Sequence, residues 1–391
     1  MPTRLRTRYL QADALAAVKR APAVGILGAR QVGKTAFSKQ LAKAAQREVL
    51  YLDLESPAAL ERLRDAEAFL HEHRKKLVVI DEVQRKPDLF PLLRSLIDRD
   101  RRAGRFLLLG SSSPEIVRSS AESLAGRIAY LDLYPFCLHE VAQRDRDKLW
   151  LRGGFPRAFL AQSDASAATW TQDYLRDFTE REMRVLGLNA DPKDTRAMLA
   201  MLATVHGAPL NMSMIAKSIG MTGPTVKRYL SWFEQAMLIN VLPSYHMNLR
   251  KRLTTAPKVY FADTGLLHSQ LRINDLASLR SGIVAGNSWE GFVIQQVRAW
   301  LKGRAELHYF RTHDGSELDL LITRSLRPVV ALEIKTTNSP SLSKGNQLAF
   351  EAVKAPVQLI VTPTSDDFPY GKGIRVCSLG TLWGHLERAL R

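Results

Sequence analysis

Cysteine is nearly absent: Cys137 and Cys377 are the only two in 391 residues. So sparse a pair staples no small secreted fold and builds no cysteine-rich zinc site. Long apolar runs are missing as well. The stretches Leu77-Val78-Val79-Ile80 and Phe106-Leu107-Leu108-Leu109 have the length of buried strands, far short of the ~18 residues that cross a bilayer. The first residues, MPTRLRTRYLQADAL, are basic but lack the apolar stretch and small-residue cleavage site of a secretory leader. Neither a fixed-period repeat nor a low-complexity tract occurs. These absences predict a soluble, cytoplasmic protein of several domains with no membrane partner.

Acidic residues are also scarce relative to basic ones. Asp plus Glu number 39 against 56 Lys plus Arg, leaving a formal net charge of +17. Such an excess repels itself unless a polyanion relieves it, and nucleic acid is the commonest intracellular polyanion. What is present in quantity is core material: 46% hydrophobic residues are enough for two or three domains.

The first ~140 residues alternate short apolar runs with amphipathic stretches, the pattern of an α/β layer. Strands are expected at 23–27, 49–54, 77–80, 105–109 and 128–133, with helices at 35–45, 89–99 and 114–124. The pattern turns mostly helical from 141 to 236. Two short strands around a basic loop follow at 237–261, then a connector over 266–286. A helix after Asn287, three closely spaced strands, a helix at 344–353 and a strand at 357–361 complete the reading. The expected domains are 1–140, 141–275 and 276–391.

Gly28-Ala29-Arg30-Gln31-Val32-Gly33-Lys34-Thr35 fits G-x-x-x-x-G-K-[ST] between an apolar strand and a helix. Glycines let the backbone wrap phosphate oxygens, so that amides and the helix N-terminus face the anion. Lys34 would reach the β- and γ-phosphates of ATP, and the Thr35 hydroxyl would ligate Mg²⁺. Farther on, the strand Leu77–Ile80 ends in Asp81-Glu82. Asp81 would hold the Mg²⁺ shell and Glu82 would activate the attacking water. After the run 106–109, Ser111 or Ser112 either senses the γ-phosphate or caps a helix before Pro114. Arg127 is either an arginine finger for a neighbouring subunit or an ordinary surface arginine.

Residues 210–236 have helix-turn-helix spacing. A short helix containing Ile215 and Ala216 ends at Gly220, and Thr222 caps a second helix with Val226, Tyr229, Leu230 and Phe233 on its apolar side. Thr225, Lys227 and Arg228 occupy the start of that second helix, where duplex DNA would be contacted, and Arg250-Lys251-Arg252 falls where a wing would lie. In the last third, Glu290 lies on a helix, Asp319 on one strand, and Glu333-Ile334-Lys335 ends another. Glu333 and Lys335 share a face because strand side chains repeat every second residue. Asp319 and Glu333 would hold Mg²⁺, with Lys335 positioning the water or stabilising the charge that develops on the phosphate.

Taken in order, GARQVGKT, VVIDEVQ, LLLGSSSPEI, LAGR, GGFPR, TVKRYLSWFEQAMLI, PKVYFADTGLL, SELDLLI and LEIK resemble the AAA-type ATPases of bacteria and archaea that carry a C-terminal DUF4143 region. The resemblance implies an α/β P-loop NTPase domain with a parallel sheet, a helical and winged-helix domain, and a restriction-endonuclease-like α/β domain of PD-(D/E)xK type. It implies ATP and Mg²⁺ as cofactors and the roles given above for Lys34, Thr35, Asp81 and Glu82. It further implies Arg127 as a trans-acting finger in a ring-like homo-oligomer, and Glu290, Asp319, Glu333 and Lys335 as the nuclease-type positions. The expected function is an ATP-hydrolysing, DNA-binding motor or switch in DNA processing, repair or defence. The alternatives are a nucleotide-gated signalling scaffold, whose winged helix and inactive nuclease fold bind proteins, and a metal-dependent DNA nuclease licensed by ATP.

Overall fold

A computed structural model describes residues 6–110, 124–183, 190–245 and 256–391. The chain divides into two compact units, one running to Val141 and one made chiefly of Ala142–Arg391.

In the first unit, five parallel strands are ordered β2-β3-β4-β1-β5: β1 Ala23–Leu27, β2 Val49–Asp53, β3 Leu77–Asp81, β4 Phe106–Gly110 and β5 Ile128–Asp132. The three central strands are buried along their whole length, as continuous apolar runs must be when helices cover both faces of a sheet. The connecting helices include α1 Gln11–Arg20, α2 Lys34–Ala44, α3 Pro57–Arg62, α4 Ala66–Glu72 and α5 Leu89–Arg99. Leu89, Phe90, Leu93, Leu96 and Ile97 of α5 pack into one cluster with Val78, Ile80, Phe106 and Leu108. Because β4 lies between β1 and β3, the loop after β1 and the carboxylates closing β3 emerge on the same edge. Ligands bind at that carboxyl edge in open parallel sheets.

The second unit opens with helices α6 Arg146–Arg152, α7 Pro156–Phe159 and α8 Asp164–Asp177, then α9 Pro192–Thr204. A helix-turn-helix pair follows, α10 Met212–Ser218 and α11 Gly223–Gln235, with Asn211 capping α10 through Met214 N–H. Strands β6 Ile239–Leu242 and β7 Lys258–Phe261 pair antiparallel. The expected connector over 266–286 instead contains two helices, α12 Thr264–Gln270 and α13 Leu276–Ser281. Asp263 and Asp275 start them by accepting from Gly265 N–H and Ser278 N–H.

Helix α14 Ala285–Leu301 leads into a six-stranded sheet. Its strands are β8 Glu306–Arg311, β9 Glu317–Arg324, β10 Arg327–Ile334, β11 Val357–Thr362, β12 Phe368–Gly371 and β13 Ile374–Ser378, in the order β12-β13-β11-β10-β9-β8. β8, β9 and β10 form an antiparallel meander. Helix α15 Lys344–Val353 makes the crossover that lets β11 run parallel to β10. The chain ends in α16 Leu382–Ala389. Beyond β6, Tyr245 N–H donates to Tyr309 O at 2.7 Å and Tyr309 N–H to Pro243 O at 3.0 Å, which joins the β6–β7 hairpin to the β8 edge of this sheet. No described helix is long and apolar enough to cross a membrane.

Candidate functional site

The loop after β1 takes the backbone shape that phosphate cradles require. Gln31 has φ 59° and Gly33 φ 99°, a left-handed step directly before the first turn of α2. A Cβ on Gly28 would lie 2.6 Å from Leu133 O, so only glycine passes there. Ala29 and Val32 are buried beneath the loop, and Arg30, Gln31 and Thr35 are exposed on it. Lys34 is buried at the start of α2 and its Nζ donates to Gly28 O at 3.0 Å and Ala29 O at 3.1 Å. Burial pulls its pKa down, partly offset by the carboxylates of Glu82 and Asp81.

Thr35 Oγ1 donates to Asp81 Oδ2 at 2.6 Å, and Asp81 is itself buried. A hydroxyl and a carboxylate meeting above a phosphate loop form the donor set that suits a phosphate-bridging Mg²⁺. Glu82 follows with φ 54°, ψ 45°, a left-handed conformation that a non-glycine residue adopts only where its surroundings enforce it. Its side chain is half-buried and accepts from Gln84 Nε2. Burial raises the Glu82 pKa, against the lowering effect of Lys34, which brings it closer to the range of a useful general base.

Two supports of this site escaped the sequence reading. Tyr51, on β2, donates its hydroxyl to Asp81 Oδ2 from a position paired with Val79 on β3, a register that the sequence does not print. Arg8 reaches the phosphate loop from behind. Its Nη1 donates to Val32 O at 3.2 Å while Nε pairs with Glu140 Oε1 at 3.0 Å, both side chains being nearly buried. Glu140 also accepts from Tyr9 N–H and Cys137 N–H, so it ties the N-terminal segment to the turn after β5. A buried arginine inside a run of surface-type arginines gives no compositional signal.

Arg127 lies immediately before β5, and its carbonyl accepts from Ala23 N–H at the edge of the sheet opposite the phosphate loop. Its guanidinium makes a two-pronged pair with Asp98 of α5, at 2.8 and 2.9 Å. Ser111 and Ser112 lie outside the described residues, as do Arg250, Lys251 and Arg252. At the start of α11, Thr225 N–H donates to the capping Thr222 hydroxyl at 3.3 Å, and Lys227 and Arg228 are exposed.

The C-terminal acids do converge, but on cations already present. Lys258 of β7 donates to Glu290 Oε1 at 3.0 Å and pairs with Glu317 Oε1 at 2.6 Å. Tyr260 Oη donates to the same Glu290 oxygen at 2.5 Å, and Arg311 holds Glu317 Oε2 at 2.7 Å. Asp319 Oδ2 accepts from Ile334 N–H at 2.7 Å, and Lys335 Nζ donates to Glu333 Oε1 at 2.7 Å. Glu333 Oε2 is buried without a hydrogen-bond partner. Burial, with Lys335 opposing it, pushes Glu333 up to about 7. Burial and the neighbouring Glu290 and Glu333 carboxylates raise Asp319 well above the usual range.

Asp319 and Glu333, the acids expected to hold Mg²⁺, thus lie among cations contributed by neighbouring strands. Among the described residues no three carboxylate, imidazole or thiolate side chains form a metal-sized cluster. Ammonium, guanidinium, phenol and backbone N–H groups bond one oxygen each of Glu290, Asp319 and Glu333 and both oxygens of Glu317. Neither Lys258 nor Tyr260 was singled out from sequence, because a lysine at the start of Lys-Val-Tyr-Phe reads as a solvated strand end.

Comparison with known proteins divides the chain in three. An AAA domain matches residues 20–142, a domain of unknown function (DUF8612) residues 143–277, and a domain of unknown function (DUF4143) residues 285–382. An uncharacterized protein of Mycobacterium tuberculosis is 39% identical over 353 residues, covering 90% of this chain and 79% of the relative. An uncharacterized protein of Mycobacterium bovis matches with the same identity and coverage. Among solved structures, a Walker-type ATPase of Pyrococcus abyssi aligns with TM-score 0.47 and 15% identity, over 68% of this chain and 96% of that one. The RuvB Holliday junction branch migration motor of Thermotoga maritima aligns with TM-score 0.30 and 19% identity, over 61% of this chain and 90% of that one.

Proposed function

The chain belongs to the AAA-type P-loop ATPases with a C-terminal DUF4143 region, and from that premise we propose that it is an ATP-hydrolysing switch that grips duplex DNA. The observation that carries this reading is the 2.6 Å contact between Thr35 and Asp81, beside Lys34 and Glu82. Amides of residues 29–35 and Lys34 bind and orient the triphosphate. Thr35 and Asp81 would hold Mg²⁺, which would supply charge neutralisation to the triphosphate. Glu82 orients the attacking water and takes its proton. Arg127 serves the site of a neighbouring copy in a homo-oligomer, which requires its release from Asp98.

Support for the DNA half comes from the net charge of +17 and from a capped second helix that presents Lys227 and Arg228 at its exposed start. Few side chains there suit base reading, so the grip is mainly on phosphates and weakly sequence-specific. ATP closes the grip and hydrolysis resets it, within an arrangement of modules we assign to 1–140, 141–275 and 276–391.

The test uses Glu82→Gln, which keeps ATP bound but unhydrolysed. With labelled duplex DNA, its affinity in ATP should exceed that in ADP by about 10-fold, an ordinary coupling between two sites. Equal affinities in the two nucleotides, or no nucleotide retained by the variant, would refute the reading.

A further inference from the structure

The acidic site of the C-terminal module resembles a metal site with one difference: a lysine from another element stands inside it. Lys258 is 3% exposed and lies in a paired strand, opposite Leu242 and bridged to Pro209. Its ammonium contacts Glu290 on α14 and Glu317 on β9, and stacks over the Tyr309 ring at 5.3 Å from the centroid. Tyr260, two residues along β7 and so on the same face, seals Glu290 with its hydroxyl.

Burial alone would lower the Lys258 pKa, yet the carboxylates of Glu290, Asp319 and Glu317 together hold it above its ordinary value. The ammonium is thus charged at any physiological pH. Glu290, Glu317, Asp319 and Glu333 supply four carboxylates, against which Lys258, Arg311 and Lys335 supply three cations. Even with all four ionised, only a single negative charge is left over, little to offset a divalent ion's loss of water. An incoming ion would also face the Lys258 ammonium at close range in a poorly screened setting. The ammonium is held in place by its two carboxylate contacts, by the Tyr309 ring and by burial, on a strand that is itself paired.

We infer that Lys258 is the resident cation of this site, contributed by the β6–β7 hairpin, so that the module takes no divalent ion there and is not a metal-dependent nuclease. The lysine also locks the hairpin to α14 and β9, joining the helix-turn-helix segment and the C-terminal sheet by a buried ionic tie. This inference goes beyond the ATP-driven grip and stands or falls separately from it, since its test involves neither nucleotide nor DNA.

The experiment is a Mn²⁺ titration of the full-length protein followed by electron paramagnetic resonance, in an Asp81→Asn background that weakens the ion site at the phosphate loop. Adding Asp319→Asn should leave the binding curve unchanged, because no ion is held by Asp319 to begin with. Lys258→Met removes the internal cation while keeping an unbranched side chain one atom shorter, and should create one equivalent of Mn²⁺ binding that Asp319→Asn abolishes. One Mn²⁺ bound with Lys258 intact and lost in Asp319→Asn would overturn the inference. So would a folded Lys258→Met protein that gains no Mn²⁺. Should Lys258→Met not fold, the comparison with and without Asp319→Asn, in protein that keeps Lys258, decides alone.

Discussion

Tyr51 and Thr35 donate their hydroxyls to one and the same oxygen, Asp81 Oδ2. The start of α2, the edge strand β2 and the carboxylate closing β3 are thereby held as one piece. Tyr51 is not placed to touch ATP chemistry, so it acts as a positioning residue for Asp81. Removing a hydrogen bond to a charged group costs about 1.5–3 kcal/mol, only part of which is felt once the ion is bound. Tyr51→Phe should raise the KM for ATP·Mg²⁺ about fivefold while kcat changes less than twofold, equivalent to ~1 kcal/mol of uniform binding. Steady-state kinetics with varied Mg²⁺ checks this. A fall in kcat with unchanged KM would assign Tyr51 to the chemical step instead.

Arg127 and Asp98 offer a second separation of roles. The pair is solvent-exposed, so its loss should scarcely alter stability. Arg127→Ala should reduce ATP turnover about 1,000-fold, as the loss of an arginine finger does, with nucleotide affinity retained. Asp98→Ala, which only releases the guanidinium, should leave turnover equal or higher. Turnover per subunit should also rise with protein concentration in the parent and not in Arg127→Ala. If both variants kept parental turnover, Arg127 would be an ordinary surface residue.

Two buried histidines should contribute an acid-sensitive part of the second unit's stability. His206 accepts from Phe261 N–H through Nδ1, and His268 bonds Leu151 O and Ser288 Oγ. Burial pushes them down to about 3 and about 4 respectively. An unfolded histidine titrates near 6.5. Because the folded values are depressed, the stability they confer is complete above pH 6.5 and drains away as pH falls toward 4. Between pH 7 and 5 the two together should cost about 4 kcal/mol. The raised carboxylates of Glu333 and Asp319 act in the opposite sense, so the histidine part is read as a difference: urea unfolding at both pH values should show His268→Gln losing about 2 kcal/mol less than the parent on acidification. The same change from pH 7 to 5 in both proteins would contradict this account.

Much of the first unit was legible in the sequence because its strands are continuous apolar runs and its chemistry lies at their ends. The stretch from Leu77 to Glu82 declares both a buried strand and its function. Helices α1, α3 and α4 were not read, since short segments of six to ten residues show too few turns for a helical period to stand out. The hairpin β12–β13 escaped for a related reason: Phe368, Pro369, Tyr370 and Gly371 are all exposed and show no alternation of burial. In the C-terminal module, Asp319, Glu333 and Lys335 were identifiable from strand spacing. Their internal partner Lys258 was not, because it comes from a strand earlier in the chain and only folding brings it near.

The central claim is that turnover of ATP at the loop 28–35 is coupled to DNA held by the second unit. ATP hydrolysis by the purified full-length protein, measured at low salt with and without duplex DNA, tests it most directly. The account predicts that DNA accelerates turnover by about 10-fold, a coupling of ~1.4 kcal/mol, and that raising the salt concentration removes the acceleration. Identical rates with and without DNA, together with no retention of DNA by the protein at low salt, would contradict it.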